Sequence, residues 1–225
     1  MLEWVYWAAI CFGFPAGLLI YSIRKGRTCA ACYLAGAAVF ILVQPLFRVP
    51  ILNGVLPYQG WFIRMQIQTP LWVTALFYAF TAGLWEEAGR YAGLRITKME
   101  RAPWPAGLLF GLGHGCAEAV WVGWTLARSQ AAVSEMNALL CGYERMCTII
   151  VHAGLALLVL EGARQRKLRW LALAIALHTA LDLAAVLLAA EGILISEGFL
   201  LPCALGAVVW IRHYGKREKR RGGVL

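Results

Sequence analysis

Apolar residues fall in long runs along this chain, separated by short basic clusters and turn-forming stretches. About 20 apolar residues rising 1.5 Å each cross the hydrocarbon core of a bilayer, so runs of that length read as transmembrane helices. The pattern predicts about seven spans, over roughly 4–23, 28–47, 70–94, 103–127, 140–161, 169–189 and 194–213. The last is the least regular, because Gly198 and Pro202 interrupt it. Residues 48–69 contain Pro50, Asn53, Gly54, Pro57 and Gly60, and are expected to form an interfacial or re-entrant piece, with room for an eighth, partial helix. Backbone polar groups in lipid must be satisfied internally, and the alternation of a barrel is absent, so the expected fold is all-α, a polytopic transmembrane helical bundle. It should be a single integral membrane domain over 1–225, with a chemistry-bearing core at about 70–190 and a basic tail at 214–225.

Composition agrees with a lipid solvent. The chain is 61% hydrophobic and 15% charged, where soluble chains carry roughly a quarter charged residues. A net charge of +9 would suggest nucleic acid in a soluble protein. Here the basic residues gather at helix ends, which points to topology and anionic membrane lipid and away from nucleic acid. Of the 21 Lys and Arg residues, sixteen fall in loops on one side of the predicted bundle. Arg48, Arg64 and Arg128 fall on the other, and Arg90 and Arg145 lie within spans. By the positive-inside rule the richer side is cytoplasmic, with the N-terminus outside and the C-terminus inside. The first apolar run is of spanning length and ends in Arg24-Lys25-Gly26-Arg27, which reads as a stopped helix and not as a cleaved signal. The seven cysteines lie in or beside apolar runs and read as small buried hydrophobes; Cys29 and Cys32 form a CxxC with no second pair.

Against this background the ionisable residues inside the spans need an explanation. Glu86, Glu87, Glu118, Glu144 and Asp182 lie there, with His114, His152 and His178. A charge at mid-bilayer costs at least about 2.5–3.5 kcal/mol on insertion scales, so these groups must face one another or a wet cavity. Counted from the cytoplasmic span ends, Glu86 is about 8 residues deep, His114 about 11, and His152 and His178 about 9, or roughly 12–17 Å. Helical spacing gives each helix a polar stripe: Glu86 and Arg90, His114 and Glu118, and His178 and Asp182 are i,i+4 pairs, and Arg145 and His152 are i,i+7. A single intramembrane histidine is often only an interhelical hydrogen-bonder, and Glu144 and Arg145, nearer the outer side, suit a structural role. Gly111, Gly113 and Gly115 flank His114; they should let helices approach closely and leave room for a substrate backbone. Three histidines at one depth, His114, His152 and His178, with an open fourth position would suit catalytic Zn²⁺, assembled from separate helices because HExxH is absent.

Glu86-Glu87-Ala88-Gly89-Arg90 resembles the EExxR signature of the YhfC-like membrane peptidases, relatives of the CAAX-processing and bacteriocin-processing (CPBP) and PrsW-type intramembrane proteases. Phe110-Gly111-Leu112-Gly113-His114, extended to Glu118, Glu144-Arg145 followed by His152, and His178 through Asp182 resemble the later motifs in order, over about 78–190. The CPBP signature has one residue more before its arginine, which leaves both Glu86 and Glu87 as candidates for the site. The resemblance implies an intramembrane endopeptidase of a prokaryotic, multi-pass cell-membrane protein, acting on a transmembrane or membrane-associated peptide or protein. It implies Glu86 as general base with Glu87 as second candidate, and His114 holding the water directly or through a metal. His178 with Asp182 would steady the oxyanion or complete a metal site, with Arg90, Glu118, Glu144 and Arg145 in support. CPBP relatives activate water with Glu and His alone, so a metal-free site stays open. The same carboxylate–histidine set would also suit a proton-coupled carrier, histidines on different helices would suit haem, and a catalytically inactive substrate-binding protein would keep the motifs without turnover. The basic-residue asymmetry predicts that a reporter fused after Leu225 is active in its cytoplasmic form; activity only as an exported reporter would reverse the orientation.

Overall fold

The computed structural model describes residues 1–129 and 134–220. Among these the chain is all-α. Its helices are α1 (Leu2–Lys25), α2 (Arg27–Tyr58), α3 (Gly60–Gln68), α4 (Leu71–Ile96), α5 (Trp104–Arg128), α6 (Glu135–Gln165), α7 (Leu168–Glu191) and α8 (Ile193–Arg220). Local chemistry sets several boundaries. Gly26 takes φ +124°, a conformation L side chains rarely adopt, and reverses the chain between α1 and α2. Pro105 occupies the first turn of α5, where its missing N–H is no loss. The Ser134 hydroxyl accepts the Asn137 N–H at 3.1 Å and caps α6.

By length and apolar composition α1, α2, α6, α7 and α8 are candidate membrane spans. The two other long helices, α4 and α5, are those that carry Glu86, Glu87 and Arg90, and His114 and Glu118. Their polar cargo lowers the hydropathy that a span is recognised by. α6 is the central rod: 78% of its apolar window is buried inside the protein, against 28% or less for the other four candidates.

Two segments differ from expectation. Residues 48–58 continue α2, wound as π-helix at Leu42–Arg48 and Ile51–Val55, and the extra short helix allowed for in this region is α3. The wider i→i+5 turn takes in Pro45, whose ring and missing N–H would break an α-helical ladder. The break comes later, at the extended Gln59, and α3 follows it. Likewise Pro202 does not interrupt α8. Its ring presses on the carbonyl four residues back, and that residue is Gly198, around which there is open space.

α5 is held between α2 and α6 at backbone distance. A Cβ on Gly36 would lie 1.8 Å from the Phe110 carbonyl oxygen, and one on Gly113 would lie 2.0 Å from that of Tyr33. On the opposite side, a Cβ on Gly111 would lie 2.9 Å from Ala153 Cα, and one on Gly115 2.9 Å from Ile149 Cα. The space beside these glycines is therefore filled by helices, and the room expected there for a substrate backbone does not exist. Gly83 does the same for α4 against α7, where a Cβ would meet Thr179 Oγ1 at 2.9 Å.

The basic tail, which by its charge should be solvated, is partly docked. α8 runs on through Arg220, and its end is clamped to α6: Tyr214 Oη donates to Glu161 Oε2 at 2.8 Å, and Arg217 Nη2 lies 2.8 Å from the same oxygen. Arg164 donates to Glu218 at 2.6 Å and to the Ala102 carbonyl at 2.6 Å. Glu161 is buried on α6, and a buried carboxylate needs such donors. The rest of the tail, residues 221–225, lies outside the described residues. The close approaches give a test: Gly36→Ala and Gly113→Ala should each lower stability by about 1–3 kcal/mol or more, because backbone atoms cannot yield. Gly17→Ala, with nothing within 4 Å of the new methyl, should be nearly neutral. Thermal unfolding in detergent reads both, and an unperturbed Gly36→Ala protein would refute the packing.

Candidate functional site

Four helices deliver ionisable groups to one place. α4 brings Glu86, Glu87 and Arg90 on one face, because three and four residues make one helical turn. Arg90 is fully buried; its Nη2 donates to Glu86 Oε2 at 3.2 Å and its Nη1 to Glu87 Oε1. From α5, His114 Nε2 lies 2.9 Å from Glu86 Oε2. From α6, His152 Nδ1 lies 2.6 Å from Arg90 Nη2, and its Nε2 contacts Glu118 Oε2. From α7, His178 Nδ1 lies 2.7 Å from Glu87 Oε1, while its Nε2 lies 3.5 Å from Asp182 Oδ2 and 4.0 Å from Glu86 Oε2. Ring centroids are 5.4 Å apart for His114 and His152, and 5.4 Å for His152 and His178. Arg145 closes the outer part, donating to Glu118 at 2.6 Å and to Glu144 at 2.5 Å.

The partners assign the protons. Arg90 can only donate, so His152 Nδ1 accepts and its Nε2–H points at Glu118. An ionised carboxylate only accepts, so His178 donates from Nδ1 to Glu87, while its Nε2 faces the carboxylates of Glu86 and Asp182. By the same rule His114 donates from Nε2 to Glu86, and its Nδ1 is buried without a partner. One ligand atom from each of Glu86, His152 and His178 lies within 4.8 Å of the others, a spacing at which one ion can be shared. This set differs from the three histidines expected from the sequence: Glu86 takes the place of His114.

The model of the YhfC intramembrane metalloprotease family matches residues 10–128 and 124–200. The chain belongs to this family. A relative in Bacillus subtilis (strain 168), titled an uncharacterized membrane protein YhfC, is 27% identical over 211 residues, covering 80% of this chain and 81% of the relative. No solved structure gives a significant match. This is a membrane protein, and the region shared with the YhfC family contains every residue of the cluster.

In this YhfC-family chain a cavity of about 360 Å³ opens beside the cluster, lined in part by Glu86, Glu118, Glu144, Arg145, His152, His178 and Asp182. Glu87, Arg90 and His114 are fully buried behind its wall. His114 therefore acts on Glu86 and does not touch the cavity. Two more polar residues reach the cavity from the π-wound turn of α2, and sequence reasoning passed over both. Gln44 Nε2 donates to Glu86 Oε1 at 2.5 Å, and Arg48 donates to Gln44 Oε1 at 3.1 Å. The available signal was a lone glutamine in an apolar run with an arginine one turn on. The sequence pattern assigns Arg48 to a loop on the side opposite the basic clusters; it lies instead on α2. With the three imidazoles neutral, five carboxylates (Glu86, Glu87, Glu118, Glu144, Asp182) stand against three guanidiniums (Arg48, Arg90, Arg145). Two negative charges are in excess, the charge of one divalent cation. Because Arg90 is, among the described residues, the guanidinium that pairs with both buried glutamates of α4, Arg90→Met should lose about 3–5 kcal/mol of stability. Unfolding of the detergent-purified variant measures this, and a loss under about 1 kcal/mol would show that the glutamates are compensated otherwise.

Proposed function

We propose that the chain is an intramembrane endopeptidase that hydrolyses a peptide bond of a membrane-embedded or membrane-associated substrate at a divalent metal, most fittingly zinc, held by Glu86, His152 and His178. The observation that carries the reading is the convergence of those three ligand atoms beside a cavity lined by further carboxylates. A carboxylate and two imidazoles form a donor set used by catalytic zinc sites that keep an open position for water. When bound, such an ion polarises the substrate carbonyl and lowers the pKa of a ligated water to about 7.

The protein's own groups divide the remaining work. Glu87 accepts the His178 Nδ1–H and so aims the Nε2 lone pair at the centre, the carboxylate–histidine arrangement that orients metal ligands. His114, Gln44 and Arg90 each donate to Glu86. A carboxylate that accepts several such bonds is stabilised as an anion; it suits a ligand and makes a weak base. His152 would serve as a ligand through Nδ1, the nitrogen that here accepts from Arg90. Asp182 is the least engaged cavity carboxylate: its side chain is 41% exposed and its contact is His178 Nε2 at 3.5 Å. In this reading it takes the proton of the attacking water and returns it to the leaving nitrogen.

The test combines metal content with cleavage. The purified protein should hold about one zinc per chain, and Glu86→Gln, His152→Ala and His178→Ala should each lose it. Glu87→Gln should weaken it about 10–100-fold. Asp182→Asn should keep the metal while cleavage drops about 10²–10⁴-fold. Cleavage that survives in metal-stripped protein would refute the metal reading, and metal retained in all three ligand variants would refute the ligand set.

A further inference from the structure

The three arginines of the site are not partnered alike. Arg90 and Arg145 each bind two carboxylates. Among the described residues, Arg48 has no carboxylate within ion-pairing distance. Its bonds go to neutral acceptors: Gln44 Oε1 at 3.1 Å, Tyr78 O at 2.7 Å, and Thr81 Oγ1 at 3.2 Å from both Nε and Nη2. These use four of the five N–H groups of a guanidinium and leave one on Nη1. They also lock the fork in place while its charge stays uncompensated by direct contact. Asp182 and Glu86 line the same cavity, yet neither closes onto Arg48. Tyr78 and Thr81 lie five to eight residues before Glu86 on α4, so the guanidinium sits roughly 7–12 Å along that helix from the proposed hydrolytic centre. The single amide of Gln44 bridges the two.

We propose that Arg48 is an anion subsite of the cavity, fixed in position to receive a negatively charged oxygen of the substrate. Glu86 and Asp182 act on this guanidinium only across the cavity and neither is bonded to it, so its charge remains open to direct contact with an anionic oxygen that enters there. Two sources supply this oxygen: the oxyanion that develops on the scissile carbonyl, or the free α-carboxylate of a substrate C-terminus. The identity of these sources rests on the peptidase reading; the presence of the subsite does not.

Binding is tested first, without turnover. N-acetyl-leucine and N-acetyl-leucinamide, alike except for the charge, are titrated against the full chain in detergent and followed by ligand-observed NMR. The acid should bind the wild type at least about tenfold more tightly than the amide, and Arg48→Gln should erase the difference. Equal binding of acid and amide by the wild type, or an undiminished difference in Arg48→Gln, overturns the proposal; the latter would place the acid on the metal instead. If Arg48→Gln does not fold, Arg48→Lys is read in its place: the ammonium lacks the fork, so the preference should fall several-fold, and an undiminished preference overturns the proposal. A leucine-rich peptide with a free or an amidated C-terminus then identifies the source. If the carboxylate is recognised, amidation raises KM in the wild type and not in Arg48→Gln. If the oxyanion is recognised, both peptides are cut alike and Arg48→Gln lowers kcat about 10²–10³-fold at unchanged KM. A wild type that prefers the acid but cuts no peptide keeps the subsite and refutes the peptidase.

Discussion

Arg90 has no contact with solvent, and the geometry of the site hangs on that fact. A buried guanidinium must be surrounded by acceptors, and this one takes them from two helices: Glu86 and Glu87 on its own α4, and His152 on α6. Through Glu87 it reaches a third helix, because the same oxygen that it binds also accepts from His178 on α7. Through Glu86 it reaches a fourth, at His114 on α5. Each of these groups would be destabilising alone in an apolar interior, and together they compensate one another. Removing the cation leaves two carboxylates facing each other without it.

That network can close only because the helices approach more nearly than side chains usually allow. Gly36 and Gly113 bring α2 and α5 to backbone contact, and Gly111 and Gly115 bring α5 and α6 together on the other side. In lipid there is no hydrophobic drive between apolar helices, so such close packing supplies much of the association. It also decides which histidine meets the cavity. With α5 drawn against α2, His114 sits edge-on to Phe40, with ring centroids 5.3 Å apart, and behind Glu86. The result is that Glu86, His152 and His178 offer the atoms that lie within 4.8 Å of one another, while His114 stands behind them.

This explains what could and could not be read beforehand. The polar stripes of α4 to α7 were legible because helical spacing and the cost of intramembrane charge are both properties of the sequence alone. Matched depth placed Glu86, His114, His152 and His178 at one level, but depth is an axial coordinate. Which way each side chain turns depends on interhelical contacts, and here glycine contacts turned His114 away from the cavity. Gln44 and Arg48 were passed over for a different reason: Pro45, Pro50 and the residues after them carry the signs of a helix end. A π-wound turn absorbs the proline without ending the helix, and hydropathy carries no trace of such a turn. The docking of α8 was hidden too, since a run rich in Lys and Arg reads as solvated until the buried Glu161 that draws Arg217 inward is placed.

Hydrolysis within a bilayer requires water where the solvent is hydrocarbon. A cavity of about 360 Å³ corresponds to roughly ten waters at the liquid's share of about 30 Å³ each. Its wall carries carboxylates, guanidiniums and imidazoles, so water there finds hydrogen-bond partners that an apolar cavity would deny it. The charges that make the bundle hard to assemble are thus the same charges that keep its interior wet. Within that wet space the groups are graded by how tightly they are already bound. Glu86 accepts from Gln44, His114 and Arg90, whereas Asp182, among the described residues, keeps a single long contact, to His178. The first therefore suits holding a cation and the second suits moving a proton, although both are carboxylates in one cavity. A difference in hydrogen bonding, set by which helix each is carried on, gives the two carboxylates the different parts proposed for them.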